Sequence, residues 1–305
     1  MKTIRNVAIL GAGAMGAYFA ACFAADKSFN LCLIARGERR ERLARDGLMV
    51  NGRSVFIPAA SPEDGPAPAD LIIVALKHHH LAAAVADLKP FVGPDTVILS
   101  VMNGLESEAI IGAAVGQEKV LYAISVGIDA VRQGNRLSYS NPGRHLFGEA
   151  DNTVVSDRVR TVQEAFTRAG IAWETPPDML RMLWWKFMIN VGMNQASAAM
   201  RAPYGPFQTR AEARDLMEAL MREVIALAGP AGVNLGEPDI ADWRRVLETL
   251  APGGKTSMLQ DVEAGRKTEV EIFGGTVVAL GQRHNVPTPV NRTLFQIIRM
   301  LEGTD

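Results

Sequence analysis

Residues 6–16 read NVAILGAGAMG, and this stretch decides the fold. It begins with a short apolar run, Asn6 to Leu10, of the kind that forms a buried strand, and continues into a G-x-G-x-x-G motif that opens an alanine-rich segment. Such a strand-to-helix turn is typical of dinucleotide binding: its glycines permit a tight turn, a close approach to a pyrophosphate and close packing of helix on strand. A turn without a ligand is the alternative. The motif residues expected to contact a dinucleotide are Gly11, Ala12, Gly13, Ala14, Met15 and Gly16.

The same stretch has a competing interpretation as a secretory signal. Lys2 and Arg5 precede an apolar, alanine-rich run over residues 7–25, which superficially resembles such a signal. The three glycines would weaken the helix that a signal needs, and their spacing is better explained by a nucleotide-binding turn. The later apolar run over residues 183–200 is interrupted by polar side chains, so we expect no membrane span.

Composition excludes several classes of function. The 305 residues are 48% hydrophobic, which is ample for one large α/β domain or two smaller ones and argues against disorder. The 32 basic and 33 acidic residues give a formal net charge of −1, without the basic excess expected of a nucleic-acid-binding protein.

Cysteine and histidine usage predicts neither a disulfide framework nor a metal site. Cys22 and Cys32 lie in apolar stretches and have no ligand spacing, which fits a reducing cytoplasm. His78, His79 and His80 are consecutive, so their side chains point apart, and no pattern of acids or cysteines accompanies them. The sequence assigns these histidines no role.

The first half of the chain alternates strand-like runs with helical stretches, the pattern of a doubly wound α/β sheet. The runs are residues 6–10, 30–35, 70–76 and 96–102. Runs at 121–130 and 136–140 flank the turn signal Gln133-Gly134-Asn135, which predicts an antiparallel hairpin and therefore a mixed sheet.

Near Pro176-Pro177 the sequence pattern changes from alternating strand-like and helical runs to helical runs, which indicates a domain boundary. Beyond it the chain reads almost wholly as helices. The predicted domains are a Rossmann-type, nucleotide-binding domain over residues 1–175 and an all-helical domain over residues 176–305.

The residue at the tip of the second strand predicts which dinucleotide binds. Twenty positions beyond Gly16 stands Arg36, where an NAD site would place an acid on the ribose 2′-hydroxyl. Because a guanidinium suits a 2′-phosphate, NADP(H) is predicted over NAD(H). The alternative is a solvated loop arginine. Lys77 and Asn103 follow two further strands and are also expected to face the cofactor, although strand ends reach water in any case.

The second half of the chain contains a predicted helix that is apolar except for one stripe of polar residues. Residues 179–200 predict one long helix in which Lys186, Asn190 and Asn194 recur every four residues and so share a face. Apolar and aromatic residues cover the other faces, which predicts burial on most sides. Buried polar groups need partners or water, and a ligand cleft supplies both. An ordinary solvent stripe is the alternative.

Two further segments match the S/T-x-x-E/Q capping box, one starting at Ser257 and one at Thr268. In a continuous helix Ser257 and Glu269 would be about 18 Å apart, too far to share a small substrate. A break near Gly265 could bring them together. The alternative is that both are ordinary first-turn residues.

In this order the segments resemble the ketopantoate reductase (2-dehydropantoate 2-reductase) family over the whole chain. The segments that carry the resemblance are residues 11–16, Arg36, Lys77, Asn103-Gly104, Trp185-Lys186, Asn190, Asn194, and residues 257–261 and 266–269. The resemblance implies a Rossmann domain, a helical domain similar to that of 6-phosphogluconate dehydrogenase, an active site in the cleft between them, and NADPH as cofactor. A homodimer is compatible with the sequence.

The resemblance also implies residue roles. Lys186 would be the general acid, with Asn190, Asn194 and Ser257 holding the substrate, and Glu269 would bind its hydroxyl or orient the lysine. Chemistry agrees, because hydride arriving at a ketone carbon leaves negative charge on oxygen, which an ammonium stabilises and protonates. The predicted reaction is NADPH-dependent reduction of a small 2-keto acid, foremost ketopantoate to pantoate in pantothenate and coenzyme A biosynthesis.

Two departures from the family pattern leave the substrate open. The family usually has an asparagine three residues before the substrate serine, where Gly254 stands, and commonly Asn-Gly after the Thr-Glu segment, where Gly274-Gly275 stands. One buried polar contact decides between similar substrates by about one to a few kcal/mol. The alternatives are a paralogue acting on another 2-oxo or 2-hydroxy acid, and a non-catalytic NADP-binding regulator.

Overall fold

A mostly parallel sheet built outward from the Asn6–Leu10 strand forms the first part of the chain. The computed structural model describes residues 3–302. The strands are β1 Asn6–Leu10, β2 Asn30–Ile34, β3 Leu48–Val50, β4 Arg53–Val55, β5 Ala59–Ala60, β6 Ala69–Val74, β7 Val92–Ser100, β8 Val120–Val126, β9 Val131–Gln133, β10 Arg136–Ser138, β11 Arg144–Gly148 and β12 Trp173–Glu174.

Among the described residues, eight of these strands form one sheet in the order β12-β11-β8-β7-β6-β1-β2-β5. β1 pairs in parallel with β2 on one side and β6 on the other, and β6 pairs in parallel with β7. β8 pairs antiparallel with β11, so the predicted mixed sheet is confirmed. The ends of β1, β6 and β7 are in register at Leu10, Val74 and Ser100, which puts the loops that follow them at one edge of the sheet.

The turn of the predicted hairpin is confirmed, but its first strand is β9 and not the predicted run over residues 121–130. Gly134 adopts a positive φ of 61° between β9 and β10, which pair antiparallel in a small second sheet. β8 ends at Val126 and belongs to the large sheet instead. Gly127, with φ of 74°, breaks the apolar run between β8 and β9, and β8 is too thoroughly buried to serve in a solvent-exposed ribbon.

Helices cover both faces of the sheet in the first part and make up the rest of the chain. They are α1 Ala14–Ala25, α2 Gly37–Asp46, α3 Leu81–Ala84, α4 Ser107–Val115, α5 Asp157–Arg168, α6 Met179–Ile189, α7 Gln195–Met200, α8 Tyr204–Thr209, α9 Ala211–Ala228, α10 Glu237–Thr249, α11 Ser257–Glu263, α12 Gly274–His284 and α13 Pro289–Leu301. Alternate residues of β1 enter two separate cores: Val7 and Ile9 pack with α1 and α5, and Ala8 and Leu10 pack with α3 and α4.

The chain divides into two units between Leu180 and Arg181, a few residues beyond Pro176-Pro177. Residues 181–302 hold helices and no strand. The predicted fold class, a Rossmann-type sheet followed by a helical domain, is therefore confirmed. Across residues 3–302, no helix is both long and apolar enough to cross a bilayer.

The long helix predicted over residues 179–200 is present but is not regular. α6 and α7 are joined without a break by a π-helical turn, Asn190–Asn194. Such turns are rare and occur often at functional sites.

Candidate functional site

The glycine-rich turn follows β1, and two of its glycines are required by packing within the protein. Gly11 has φ of 101°, and a Cβ there would lie 2.5 Å from the carbonyl oxygen of Ala75. A Cβ on Gly16 would collide with the carbonyl oxygen of Gly11. These two glycines let α1 start tightly against the sheet.

Gly13 has no such reason in the protein itself. Its φ is −72°, open to any residue, and a Cβ would meet nothing closer than 3.7 Å. It is the N-cap of α1, whose first turn has no acidic residue and no side-chain cap. The open space at Gly13 and the uncapped N–H groups fit the pyrophosphate of a dinucleotide.

Arg36 lies at the N-cap of α2, just past the tip of β2. Its guanidinium is ion-paired with Glu63 at 2.5 Å and with Asp87 at 2.6 Å. The position at the end of β2 is thus an arginine and not an acid, but two acids from elsewhere in the fold form ion pairs with that arginine.

Lys77 and Asn103 each stand three residues beyond their strands, β6 and β7, and both are half-buried. Because those strands are neighbours, both residues follow the same sheet edge as the glycine turn. The structure thus places the predicted cofactor residues at one end of the first unit.

The three consecutive histidines form a short 3-10 turn after Lys77. His78 Nε2 lies 3.9 Å from Glu106 Oε2, and the rings of His79 and His80 are 4.2 Å apart. In the described part of the chain, no group of three or more His, Cys, Asp or Glu residues is arranged to hold a metal ion.

One arginine at the glycine turn was missed by sequence reasoning. Arg132, from β9, donates hydrogen bonds to the carbonyl oxygens of Ala12 and Gly134. It stands 120 residues from Ala12 in the chain. No local pattern connects the two, so only the fold reveals the contact.

In the second unit, Lys186 lies near the end of α6, and Asn190 and Asn194 are the first and last residues of the π turn. In an uninterrupted α-helix, Asn194 would be rotated about 80° from Lys186 around the axis. A π turn closes its bonds over five residues and so rotates less per residue, which brings Asn194 back towards the face of Lys186. The irregularity therefore sharpens the predicted stripe.

Neighbouring groups hold the π turn in place. Gly192 lets it pack closely on α9, since a Cβ there would lie 2.5 Å from the Met221 side chain. Gln195 Nε2 donates to the Val191 carbonyl oxygen at 2.8 Å and to Asn291 Oδ1 at 2.9 Å. Neither Gly192 nor Gln195 entered the sequence prediction, although a glycine within a helical pattern signals an irregularity.

Asn194 combines burial with an unused amide. The residue is 7% exposed, and its side chain makes no hydrogen bond with any residue of the described range. Neither amide atom is both fully enclosed and without a partner, so each keeps some surface exposed to solvent. A buried polar group left without a protein partner fits a ligand-binding role. Lys186 and Asn190 are half-buried.

The predicted capping box at Ser257 is wrong by one residue. Thr256 is the N-cap of α11 and accepts a hydrogen bond from the Leu259 N–H at 3.1 Å. Its backbone is extended, with ψ of 158°, whereas Ser257 is already helical. Ser257 is exposed, and because it is the first helical residue its hydroxyl is not the cap.

The second box is also wrong, although a break after α11 is present. Thr268 accepts a hydrogen bond from the Val270 N–H at 3.1 Å and donates one to Glu302. Glu271 lies 3.5 Å from Arg299 and does not close a box. Gly265, with φ of 61°, turns the chain after α11, and Glu269 precedes a short 3-10 turn, half-buried.

The two glycines that depart from the family pattern leave no empty space. A Cβ on Gly254 would lie 2.9 Å from the ring of Tyr204, whose N–H bonds to the Gly254 carbonyl at 3.0 Å. A Cβ on Gly274 would collide with Oε1 of Gln195. Each missing side chain is thus replaced by a group from another helix.

Comparison with known proteins agrees with this arrangement. A model of the family described as ketopantoate reductase PanE/ApbA matches residues 7–152, and a model of its C-terminal part matches residues 178–302. The 2-dehydropantoate 2-reductase of Archaeoglobus fulgidus is 27% identical over 303 residues, covering 98% of this chain and 99% of that protein.

Solved structures share the fold. A PanE/ApbA family ketopantoate reductase from Ralstonia eutropha has a TM-score of 0.84 and 26% identity, covering 97% of this chain and 98% of that one. A D-mandelate dehydrogenase with NADH and anilino(oxo)acetate has a TM-score of 0.88 at 21% identity, with the same coverage. The chain therefore belongs to the ketopantoate reductase family and is a nicotinamide-dependent oxidoreductase.

Proposed function

We propose that this protein reduces a small 2-keto acid with NADPH, with ketopantoate as its first candidate substrate and Lys186 as the general acid. The observation that carries the proposal is the face formed by Lys186, Asn190 and Asn194 around the π turn, in which the buried Asn194 amide has no hydrogen-bond partner in residues 3–302. Relatives named 2-dehydropantoate 2-reductase at about a quarter identity support the substrate.

The proposed roles follow from the donors and acceptors present. NADPH, when bound, supplies a hydride to the carbonyl carbon. The Lys186 ammonium stabilises the charge that develops on the carbonyl oxygen and donates its proton there. The amides of Asn190 and Asn194 and the hydroxyl of Ser257 hold the substrate's carboxylate and hydroxyl. Glu269 accepts from the substrate hydroxyl or orients Lys186.

The cofactor would be held by the glycine turn, residues 11–16, with Lys77 and Asn103 towards the nicotinamide. Position 36 holds an arginine where an NAD site would place an acid, which supports a preference for NADP(H) over NAD(H). A cytoplasmic location, a place in pantothenate biosynthesis and a homodimeric assembly stay predictions.

One observation favours a second candidate, a 2-keto acid with a bulky apolar substituent. Gly254 stands three residues before Ser257, and the ring of Tyr204 fills the space beside it. A ring selects apolar groups where an amide would select a hydroxyl. The D-mandelate dehydrogenase that shares this fold, at 21% identity, supports testing an aromatic 2-keto acid as well.

A substrate panel tests the proposal. NADPH oxidation is followed with ketopantoate, with trimethylpyruvate, which is ketopantoate lacking its hydroxyl, and with phenylglyoxylate. We expect the highest kcat/KM for ketopantoate, and at least about a tenfold loss with trimethylpyruvate if the hydroxyl is read by a buried polar group. A preference for phenylglyoxylate would select the second candidate. Tight NADPH binding without turnover of any 2-keto acid would contradict the proposal and favour a regulator.

A further inference from the structure

Two buried hydroxyl groups join the helix that follows Asn194 to the helix that begins at Ser257. Thr256 Oγ1 donates a hydrogen bond to Ser197 Oγ at 3.2 Å. Thr256 is 3% exposed and Ser197 is fully buried, so little water reaches this contact and competes with it. Side chains therefore connect α7 to the start of α11.

The two hydroxyls belong to one continuous chain of hydrogen bonds. The Leu259 N–H donates to Thr256 Oγ1 at 3.1 Å, and Ser197 Oγ donates to the carbonyl oxygen of Ala202 at 2.6 Å. Each hydroxyl thus accepts one hydrogen bond and donates another, which fixes the direction of each O–H. Bonds in such a chain polarise and strengthen one another, so its two ends are held at a defined distance.

The role of Thr256 goes beyond capping α11. A cap requires only that the hydroxyl accept from the Leu259 N–H, and a hydroxyl that faces solvent would do this equally well. Thr256 also donates to Ser197, which lies in another helix and 59 positions earlier in the chain. This second bond adds nothing to the cap, and it fixes where α11 begins relative to α7.

Both linked hydroxyls stand next to residues proposed to hold the substrate. Ser197 follows Asn194 by three residues, which places the two on neighbouring turns of one helix face, and Thr256 directly precedes Ser257. The buried Met258 side chain also packs α11 within the second unit. Apolar packing has no direction, however, whereas a hydrogen bond sets the distance between two atoms.

We propose that the hydrogen bond between Thr256 and Ser197 positions two substrate-holding residues against each other, so that both hydroxyls are positioning groups for the 2-keto acid. The bond sets the distance between Asn194 and Ser257. The inference rests on the proposed function, in which these two residues hold the substrate. A displacement of about 1 Å caused by a change outside a site can cost about a hundredfold in rate, so a bond beside the site can decide how well the site works.

Variants of the two hydroxyls separate positioning from capping. Ser197→Ala removes the contact and keeps the cap of α11, Thr256→Val removes both, and Thr256→Ser keeps both. Ser156→Ala is the matched control, because it removes the hydroxyl cap of α5 in the first unit. For each variant, KM and kcat for ketopantoate are measured at saturating NADPH, together with NADPH affinity and Tm. Phenylglyoxylate replaces ketopantoate if wild type prefers it.

We expect Ser197→Ala and Thr256→Val to raise KM about fivefold or more, with kcat and NADPH affinity within about twofold of wild type. Thr256→Ser should keep KM within about twofold of wild type, because its hydroxyl makes both bonds. The double variant Ser197→Ala/Thr256→Val should match Thr256→Val, since both changes remove the same bond. Ser156→Ala should lower Tm and leave KM unchanged.

Three results would overturn the inference, and they differ in meaning. Unchanged KM in folded Ser197→Ala and Thr256→Val would overturn it and leave the proposed function intact. Losses that multiply in the double variant would do the same, because the two hydroxyls would then act separately. Turnover of no 2-keto acid by wild type would remove the proposed function, and the inference with it. If Thr256→Val fails to fold, Ser197→Ala and Thr256→Ser carry the test, because both keep the cap.

Discussion

Asn194 is a buried residue whose side-chain amide makes no hydrogen bond within residues 3–302. It is 7% exposed, yet its amide bonds to nothing in the described chain, whereas the fully buried Asn291 bonds to Gln195, Leu220 and Glu223. A buried amide with protein partners stabilises the fold, and one without them costs free energy unless a ligand uses it.

Alanine substitution at the two asparagines should therefore have opposite effects. Asn194→Ala should leave the free energy of unfolding within about 1 kcal/mol of wild type and raise KM for the keto acid about tenfold or more, with NADPH affinity unchanged. Asn291→Ala should lower it by about 2 kcal/mol or more, because it leaves buried partners unpaired. Steady-state kinetics and denaturant melts check both. A fold defect in Asn194→Ala equal to that of Asn291→Ala, with unchanged KM, would assign Asn194 a structural role.

At this scale the sequence could indicate Lys186, Asn190 and Asn194 from their spacing, but not the residues that surround them. Arg132 and Ala12 are 120 positions apart, and Gln195 and Asn291 are 96 apart. Contacts at such separations leave no local pattern. The cap of α11 was misplaced for another reason: Thr256 and Ser257 both carry hydroxyls, and only the backbone angles distinguish them.

At the scale of elements, the glycine turn makes two kinds of demand. Gly16 is needed by the protein, because a Cβ would strike the Gly11 carbonyl, while the protein leaves room for a Cβ at Gly13, as expected if this glycine serves the proposed dinucleotide. Gly16→Ala should lower Tm markedly. Gly13→Ala should change the free energy of unfolding by less than about 1 kcal/mol, yet weaken NADPH binding about tenfold or more.

Gly229→Ala provides the control, since Gly229 has a helical φ of −56° and nothing within 4 Å of a Cβ. It should affect neither Tm nor NADPH binding adversely. Thermal melts and fluorescence titrations with NADPH separate the three variants. Unchanged NADPH affinity in Gly13→Ala would mean that the dinucleotide does not approach this turn closely.

Elements with strong periodicity were predictable, and their irregularities were not. β1 has the predicted bounds, and β2 differs by a single residue. The π turn escaped notice because apolar residues surround Asn190–Asn194 on both sides, so one wider turn leaves the hydrophobic pattern intact. The hairpin was misassigned because Gly127 interrupts a run that reads as continuous.

At the scale of the whole molecule, each unit supplies half of the proposed reaction. The first unit carries the glycine turn, Lys77 and Asn103, and the second carries Lys186 with its amides. Nucleotide binding alone would therefore test only the first unit. The proposed reduction of a keto acid also requires a proton donor, the role proposed for Lys186 in the second unit, and the account therefore depends on that residue.

The most direct test measures NADPH oxidation with ketopantoate, and NADPH affinity, in wild type and Lys186→Ala. Lys89→Ala, which removes an exposed lysine of the first unit, is the control and should match wild type. We predict that kcat of Lys186→Ala falls by about 10² to 10⁴, because the developing alkoxide loses its cation and proton donor, while NADPH binds within about threefold of wild type. Turnover close to wild type in Lys186→Ala would contradict the account.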